Sequence, residues 1–475
     1  MLTKGHDWGD DFAGYIMQTS GLLQGTARES VAHVASTMDG SSRSYAPIAY
    51  PWGFPALLAP FYRGCGGLNI FCLKLAVVPS FALFLLAFFL LLIRRLPLLD
   101  SALVVSTLAF SPVLLSYHNN VLPDLPFLAF STLSVFFIED IIVGPGKPEG
   151  SPVANVWLGI VLFVTCALRI NGILLVSTLF FTQAGVYLRR RPADTMWRRA
   201  LPVAATPYVV FGLLMLALKV LLPGGEASYL SHFHPLTAEE LSLNLSEYFA
   251  LPIEFFDSIP FPDILYYALL PFLIAGIVLN LKEDFHALIY AGLTLLLLIV
   301  WPEQQGLRYM FPLLPFGVYF AYRGMRAAVL ALADPYRRIG EPLTRALWMA
   351  MVAVFVVTSF GLARANLAGD RTPEEGPFDA SSAELFAWIR THTAPESVVI
   401  FNKPRAMQLM TGRDALLIDN CEQLGRGTHV VIRRIGDQAN QVRPGEVTTC
   451  NPSLDTTPVF ENPTYTMYRI ARRPR

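Results

Sequence analysis

Residues 78–95 read Val78-Pro79-Ser80-Phe81-Ala82-Leu83-Phe84-Leu85-Leu86-Ala87-Phe88-Phe89-Leu90-Leu91-Leu92-Ile93-Arg94-Arg95. No charge falls between Val78 and Ile93, and the apolar stretch reaches back to about residue 69. Crossing a hydrocarbon core of about 30 Å as an α-helix takes about 20 residues, so 69–93 reads as a membrane span. It ends on paired arginines, the flank that stays in the cytoplasm. Stretches of the same kind recur at 98–117, 125–143, 154–171, 172–188, 200–222, 263–281, 285–302, 308–322 and 344–363. Together they predict an all-α polytopic membrane protein with roughly ten spans. The bulk composition agrees. Of 475 residues, 53% are hydrophobic and only 15% charged, against about 25% charged in soluble chains.

Charge sorts by loop. One alternating set holds Arg94 and Arg95; Lys147; Arg189, Arg190, Arg191, Arg198 and Arg199; Lys282; and Arg323, Arg326, Arg337, Arg338 and Arg345. The other set is nearly free of base, and its long member, 223–263, carries Glu226, Glu239, Glu240, Glu247, Glu254 and Asp257. The positive-inside rule places the first set in the cytoplasm. Residues 1–68, the acidic loop and everything after about 364 are then expected outside, with the spans in 69–363 between them. Residues 1–15 have no apolar h-region and are no signal peptide. Export of the first segment then implies either that a span ahead of Met1 is absent from this sequence or that the chain natively begins outside.

Within 1–68, Asp10 and Asp11 precede Phe12, Tyr15, Ile16, Leu22 and Leu23. That spacing predicts an amphipathic helix on the membrane surface, ending near Gly25. Ser36 to Ser44 has turn composition, and Tyr50-Pro51-Trp52-Gly53-Phe54-Pro55 opens a short aromatic helix suited to the interface. After Phe378 the period changes. Ser381 or Ser382 can cap a helix through Arg390, and 398–401, 415–418, 430–432 and 465–470 read as strands, giving a small α/β domain within 364–475. Of five cysteines none forms a CxxC pair. Cys421 and Cys450 suit either a disulfide in an oxidising compartment or two thiols. A net charge of zero gives no electrostatic footprint for nucleic acid.

Gly9-Asp10-Asp11-Phe12-Ala13-Gly14-Tyr15, Leu22-Leu23-Gln24-Gly25 and Tyr50-Pro51-Trp52-Gly53-Phe54-Pro55 resemble the first extracytoplasmic loop of the GT-C membrane glycosyltransferases. That class includes the protein O-mannosyltransferases and the aminoarabinose lipid A transferases. Leu122-Pro123-Asp124-Leu125-Pro126, Arg308-Tyr309-Met310-Phe311-Pro312-Leu313-Leu314-Pro315, Trp388-Ile389-Arg390 and Thr411-Gly412-Arg413 extend the resemblance over nearly the whole chain. The departure is the span that precedes the acidic pair in the class.

The resemblance implies transfer of a sugar from a polyprenyl-phosphate donor to an extracytoplasmic hydroxyl, with inversion. It also implies a bacterial inner-membrane location. The acceptor it implies is a lipid, a polysaccharide or a protein. Such a reaction needs a carboxylate base near the membrane surface and a cation for the leaving phosphate. By alignment Asp10 is the base and Asp11 its neighbour; an Asp there also suits a helix N-cap. Arg308, in the matching motif, and Arg169 are the candidates for the phosphate, although Arg169 also suits snorkelling from a helix end. Tyr309 suits either the donor or the core. Asp124 and Tyr15 are expected to shape the site, Asp124 suiting a solvated loop equally well. A divalent metal is compatible with the class, but no ligand set is assigned. His232 and His234 fit solvated loop residues better than a metal site. The competing functions are a transporter or lipid flippase, which calls for internal repeats and mid-membrane charge, and a non-catalytic relative.

Overall fold

The computed structural model describes residues 2–143, 151–190, 194–224, 235–368, 375–436, 438–443, 445–449 and 451–473. His232, His234 and Cys450 lie outside them, and with Cys450 the choice between a Cys421–Cys450 disulfide and two thiols.

Three helices precede the membrane region: α1 (Asp11–Gln24), α2 (Ala27–Gly40) and α3 (Gly53–Gly64). The next are α4 (Ile70–Lys74), α5 (Val78–Leu92), α6 (Leu98–Ala109), α7 (Pro112–Ser116), α8 (Asp124–Ile138), α9 (Pro152–Leu168), α10 (Ile173–Arg190) and α11 (Asp194–Leu221). The rest of the helical region is α12 (Ala238–Ala250), α13 (Pro262–Asn280), α14 (Phe285–Val300), α15 (Leu314–Leu330) and α16 (Asp334–Ala368).

Every stretch expected to span is helical. Six helices among the described residues are long and apolar enough to cross a membrane, or seven if the bent pair at Leu98–Ala109 and Pro112–Asn119 is one span. Pro152–Leu168 and Phe285–Val300 are apolar but shorter. The span expected at 308–322 starts later, at Leu314, because Pro315 suits a helix's first turn. Arg308 and Tyr309 are therefore left in a 3₁₀ turn, Leu307–Met310, above the helix.

Side-chain size decides one helix crossing. A Cβ on Gly276 of α13 would overlap the carbonyl oxygen of Phe320, and one on Gly324 of α15 that of Phe272. Two glycines thus let the backbones touch, the packing that small residues permit between membrane helices. Gly324→Leu is expected to destabilise the fold by about 3 kcal/mol or more, as overpacking that cannot relax does. A thermal melt in detergent unchanged from the parent would refute this.

A buried ionic knot ties the helix ends remote from Asp124. Arg95 Nη1 donates to Glu139 at 2.8 Å and Arg95 Nε also to Asp284, while Tyr319 donates to Asp284 at 2.8 Å. His286 lies 3.2 Å from the second oxygen of Glu139. Several partners per charge offset the desolvation cost that a lone buried pair would carry. Asp124 and Glu139 bracket α8, so the knot lies about 22 Å from the cleft described below.

The first segment departs from expectation in two ways. The stretch from Ser36 is helical as far as Gly40, the end of α2. Helix α1 is enclosed rather than laid on a membrane surface: Phe12, Ala13, Tyr15 and Ile16 are buried. Its apolar stripe closes on α3 from one side and on the C-terminal domain from the other. Tyr15 stacks on Tyr50 at 4.2 Å and meets Phe54 edge-on at 5.0 Å. Gly25 stops α1 in the left-handed conformation (φ 75°). Lys74 Nζ, fully buried, donates to the Thr3 carbonyl at 2.9 Å and so pins the N-terminal residues to the core. A disulfide joins Cys65 to Cys72 just after α3.

The C-terminal domain is a five-stranded sheet with two helices, α17 (Ala380–His392) and α18 (Pro404–Thr411). Strands β1 (Val398–Ile400), β2 (Asp414–Leu416), β3 (His429–Arg433), β4 (Leu454–Glu461) and β5 (Tyr465–Arg472) lie in the order β2-β1-β3-β5-β4. The first three are parallel and the last two close as an antiparallel hairpin. Asp379, not a serine, caps α17 by accepting from Ser382 N. The sheet docks on the first segment: Trp8 packs edge-on to Phe401 at 5.6 Å, and Ser42 N donates to Leu417 O at 2.8 Å.

Candidate active site

The first segment, the membrane helices and the C-terminal domain meet around a cleft of about 500 Å³. Asp10, Asp11, Tyr15, Asp124, Arg169, Arg308 and Tyr309, dispersed over 300 residues of sequence, all line it.

Asp10 occupies the N-cap position of α1 but makes no side-chain capping bond there. Its Oδ1 accepts instead from the backbone N–H groups of Arg405 (2.9 Å) and Ala406 (3.2 Å). These are the second and third residues of α18, whose amides an N-cap side chain normally serves. Lys403, at that N-cap, has no acceptor on its side chain. Asp10 therefore caps a helix 395 residues away. Its other oxygen, Oδ2, is buried and has no hydrogen-bond partner. Burial pushes the Asp10 carboxyl up to about 6, against the pull of Arg405 and of the Ala406 amide.

Asp11 is held differently. Oδ1 accepts from the Tyr50 hydroxyl at 2.6 Å and Oδ2 from Arg308 Nη2 at 3.0 Å. Burial pushes this carboxyl up too, but Arg308, the Tyr50 hydroxyl and Arg405 outweigh it and hold it below the ordinary range. Adjacent carboxylates are thus pushed apart in acidity, the pattern that separates a base from a permanent anion.

Asp124 is buried and accepts from Arg169 Nη1 at 2.8 Å. It is not a solvated loop residue, and Arg169 does not snorkel. Its Oδ2 is buried and without a hydrogen-bond partner. The Tyr309 ring has the Arg169 guanidinium 4.3 Å and the Arg308 guanidinium 5.0 Å from its centroid, holding two cations near one point by cation–π contact. Tyr15 reaches the cleft through its stack on Tyr50.

Sequence reasoning missed Tyr50 as a polar group and Arg405 altogether. Arg405 is buried and donates to the Tyr50 hydroxyl at 2.6 Å and to the Pro47 carbonyl. The available signal was Lys403-Pro404-Arg405, two bases around the proline that starts a helix just after a strand. Among the described residues no three His, Cys, Asp or Glu side chains are grouped to hold a metal ion. Asn244, in the Asn-Leu-Ser sequon, is buried and donates to the Ile299 and Trp301 carbonyls, so it is no glycan acceptor.

No family profile matches the sequence, and a search of curated proteins finds no match. Solved structures do match. ArnT from Cupriavidus metallidurans bound to undecaprenyl phosphate superposes with a TM-score of 0.61 at 13% identity, covering 98% of this chain and 94% of that one. The same protein in the apo state gives 0.60 at 14%. The oligosaccharyltransferase of Archaeoglobus fulgidus in its apo form gives 0.57 at 12%, covering 91% of this chain and 66% of that one. The fold is therefore the one shared with ArnT and with this oligosaccharyltransferase. Among them, it is the ArnT architecture that runs the length of both chains.

Proposed function

We propose that this chain is an inverting membrane glycosyltransferase that moves a sugar from a polyprenyl-phosphate donor to an acceptor hydroxyl. The observation that carries the reading is Asp10 Oδ2, a buried carboxylate oxygen without a partner in a cleft that also holds Arg169 and Arg308. The similarity to a fold solved with undecaprenyl phosphate supports a polyprenyl-phosphate partner. In the proposed step Oδ2 takes the acceptor's hydroxyl proton as the oxygen bonds to the anomeric carbon. The bond from that carbon to the phosphate oxygen breaks, and its electron pair leaves on the phosphate. Arg308 and Arg169 meet the developing charge with preset N–H groups. Asp11 and Asp124 orient those arginines, and Tyr309 spaces them.

We read the cleft as facing the extracytoplasmic side of a bacterial cell membrane. The Arg-rich loops at the remote helix ends favour this, as does the Cys65–Cys72 disulfide, which belongs in an oxidising compartment. Transport is less well supported, because the buried charges gather at the two ends of α8 rather than midway along it.

The test supplies membranes bearing the chain with a panel of polyprenyl-phosphate sugars and envelope acceptors, and follows free polyprenyl phosphate. Acceptor-dependent release is expected from one donor. No release from any donor by folded protein would overturn the reading. The base must be ionised to act, so kcat/KM is expected to rise with pH through about 6 and to fall tenfold per unit below it. A profile flat from pH 5 to 8 would remove Asp10 from the role.

A further inference from the structure

Arg405 comes from the C-terminal domain, yet its backbone N–H bonds Asp10 and its guanidinium bonds the Tyr50 hydroxyl that serves Asp11. We propose that Arg405 is a positioning residue for Asp10, and that docking of the C-terminal domain is what turns this carboxylate into a working base. The inference rests on Asp10 being the proton acceptor.

The geometry gives two linked arguments. The Arg405 and Ala406 amides take both acceptor directions of Oδ1 that face the domain. Rotation about the Asp10 side chain is thereby stopped with Oδ2 unpaired. The second argument is the path of the Arg405 side chain. Its guanidinium donates to the Tyr50 hydroxyl, which donates to Asp11, which accepts from Arg308. One chain of hydrogen bonds thus runs from the C-terminal domain through the first segment to the cation proposed for the phosphate. Gln18 fixes Tyr50 within it, donating to the Tyr50 carbonyl at 3.0 Å and accepting from its N–H at 2.8 Å. The Arg405 guanidinium also lies 4.9 Å from the Tyr50 ring centroid and 5.7 Å from that of Tyr45. A guanidinium with these contacts has no freedom to swing into the cleft, so its effect on the reaction is exerted through Asp10 and Tyr50.

The charged and titratable groups facing Asp10 are Arg405 and Lys403 from the C-terminal domain, Asp11 on its own helix, and Tyr45 from the first segment. Removing the Arg405 charge leaves burial and Asp11 less opposed, so Asp10 holds its proton to higher pH. A neighbouring opposite charge is worth about 1–3 pH units to a carboxylate.

The experiment is the pH profile of kcat/KM for the full chain with Arg405→Gln, Arg405→Met and Arg405→Lys, each isolated as the folded fraction by gel filtration. Asp10→Asn is run beside them. Gln and Met are expected to move the acid limb upward by about one unit or more, with much of the loss near neutrality recovered above pH 8. Lys, which keeps the charge, is expected to leave the limb in place. A limb unmoved in Gln and Met, or moved equally by Lys, overturns the positioning role. If neither Gln nor Met folds, a limb displaced in Lys does the same. Failure of the underlying reading looks different: Asp10→Asn would itself retain activity.

Discussion

Asp10→Asn is expected to lower the transfer rate about a thousandfold while leaving the fold as stable as the parent, since a positioned base contributes about 10²–10⁴. The pairing of the two outcomes is the informative part. Asp10 has a structural occupation, capping α18 through Oδ1, and that alone could account for an Asp here. Asparagine caps a helix about as well as aspartate, whereas alanine forfeits about 1 kcal/mol. Asn keeps an oxygen for the two amides and loses only the basicity at the second position. Asp10→Ala is expected to lose both activity and stability. Should Asn retain more than a tenth of the activity at pH 7, Asp10 is a cap and the base lies elsewhere. Melting curves and turnover on the same preparations distinguish these cases.

Arg308→Ala is expected to reduce kcat by about 10²–10³, the usual cost of one preset donor to a developing oxyanion. The loss should fall on kcat more than on KM, because charge on the bridging oxygen grows as the bond to the sugar breaks. Arg308→Lys is expected to recover only part of it. An ammonium supplies the charge but not the planar fork that serves Asp11 while lying against Tyr309. Arg169→Ala leaves Asp124 buried without its cation and should lower stability as well, so Arg308 gives the cleaner measurement. A change confined to KM would assign Arg308 to ground-state binding.

The membrane helices were legible in the sequence because lipid imposes one rule at every position: about twenty apolar residues and a sorted charge at each end. Ends were less legible. The helix expected from residue 308 starts at Leu314 because prolines, not hydropathy, set its first turn. In the C-terminal domain, β1, β2 and β3 were visible as short runs of Val, Ile and Leu, and β5 as the stretch Tyr465 to Ile470. Strand β4, Leu454–Glu461, was not: it is a polar edge strand containing Pro458, and such a strand carries little periodic signal. The enclosure of α1 was missed because an amphipathic helix looks the same whether a bilayer or another domain covers its apolar stripe. Six of the seven expected cleft-lining residues were legible through motif order, and Arg169 as a rare base at the outer end of a span. Arg405 was not, because its partner Asp10 is 395 residues away and no local pattern records such a contact.

That separation has a consequence for how the protein comes into being. At about 5–20 residues per second, Arg405 leaves the ribosome roughly 20–80 s after Asp10. Throughout that interval the nascent chain carries the carboxylate without the amides that aim it. If Asp10 is the base we propose, an unfinished or prematurely terminated polypeptide presents no competent base, and the proposed lipid-linked donor is spared until the last domain has been delivered and closed.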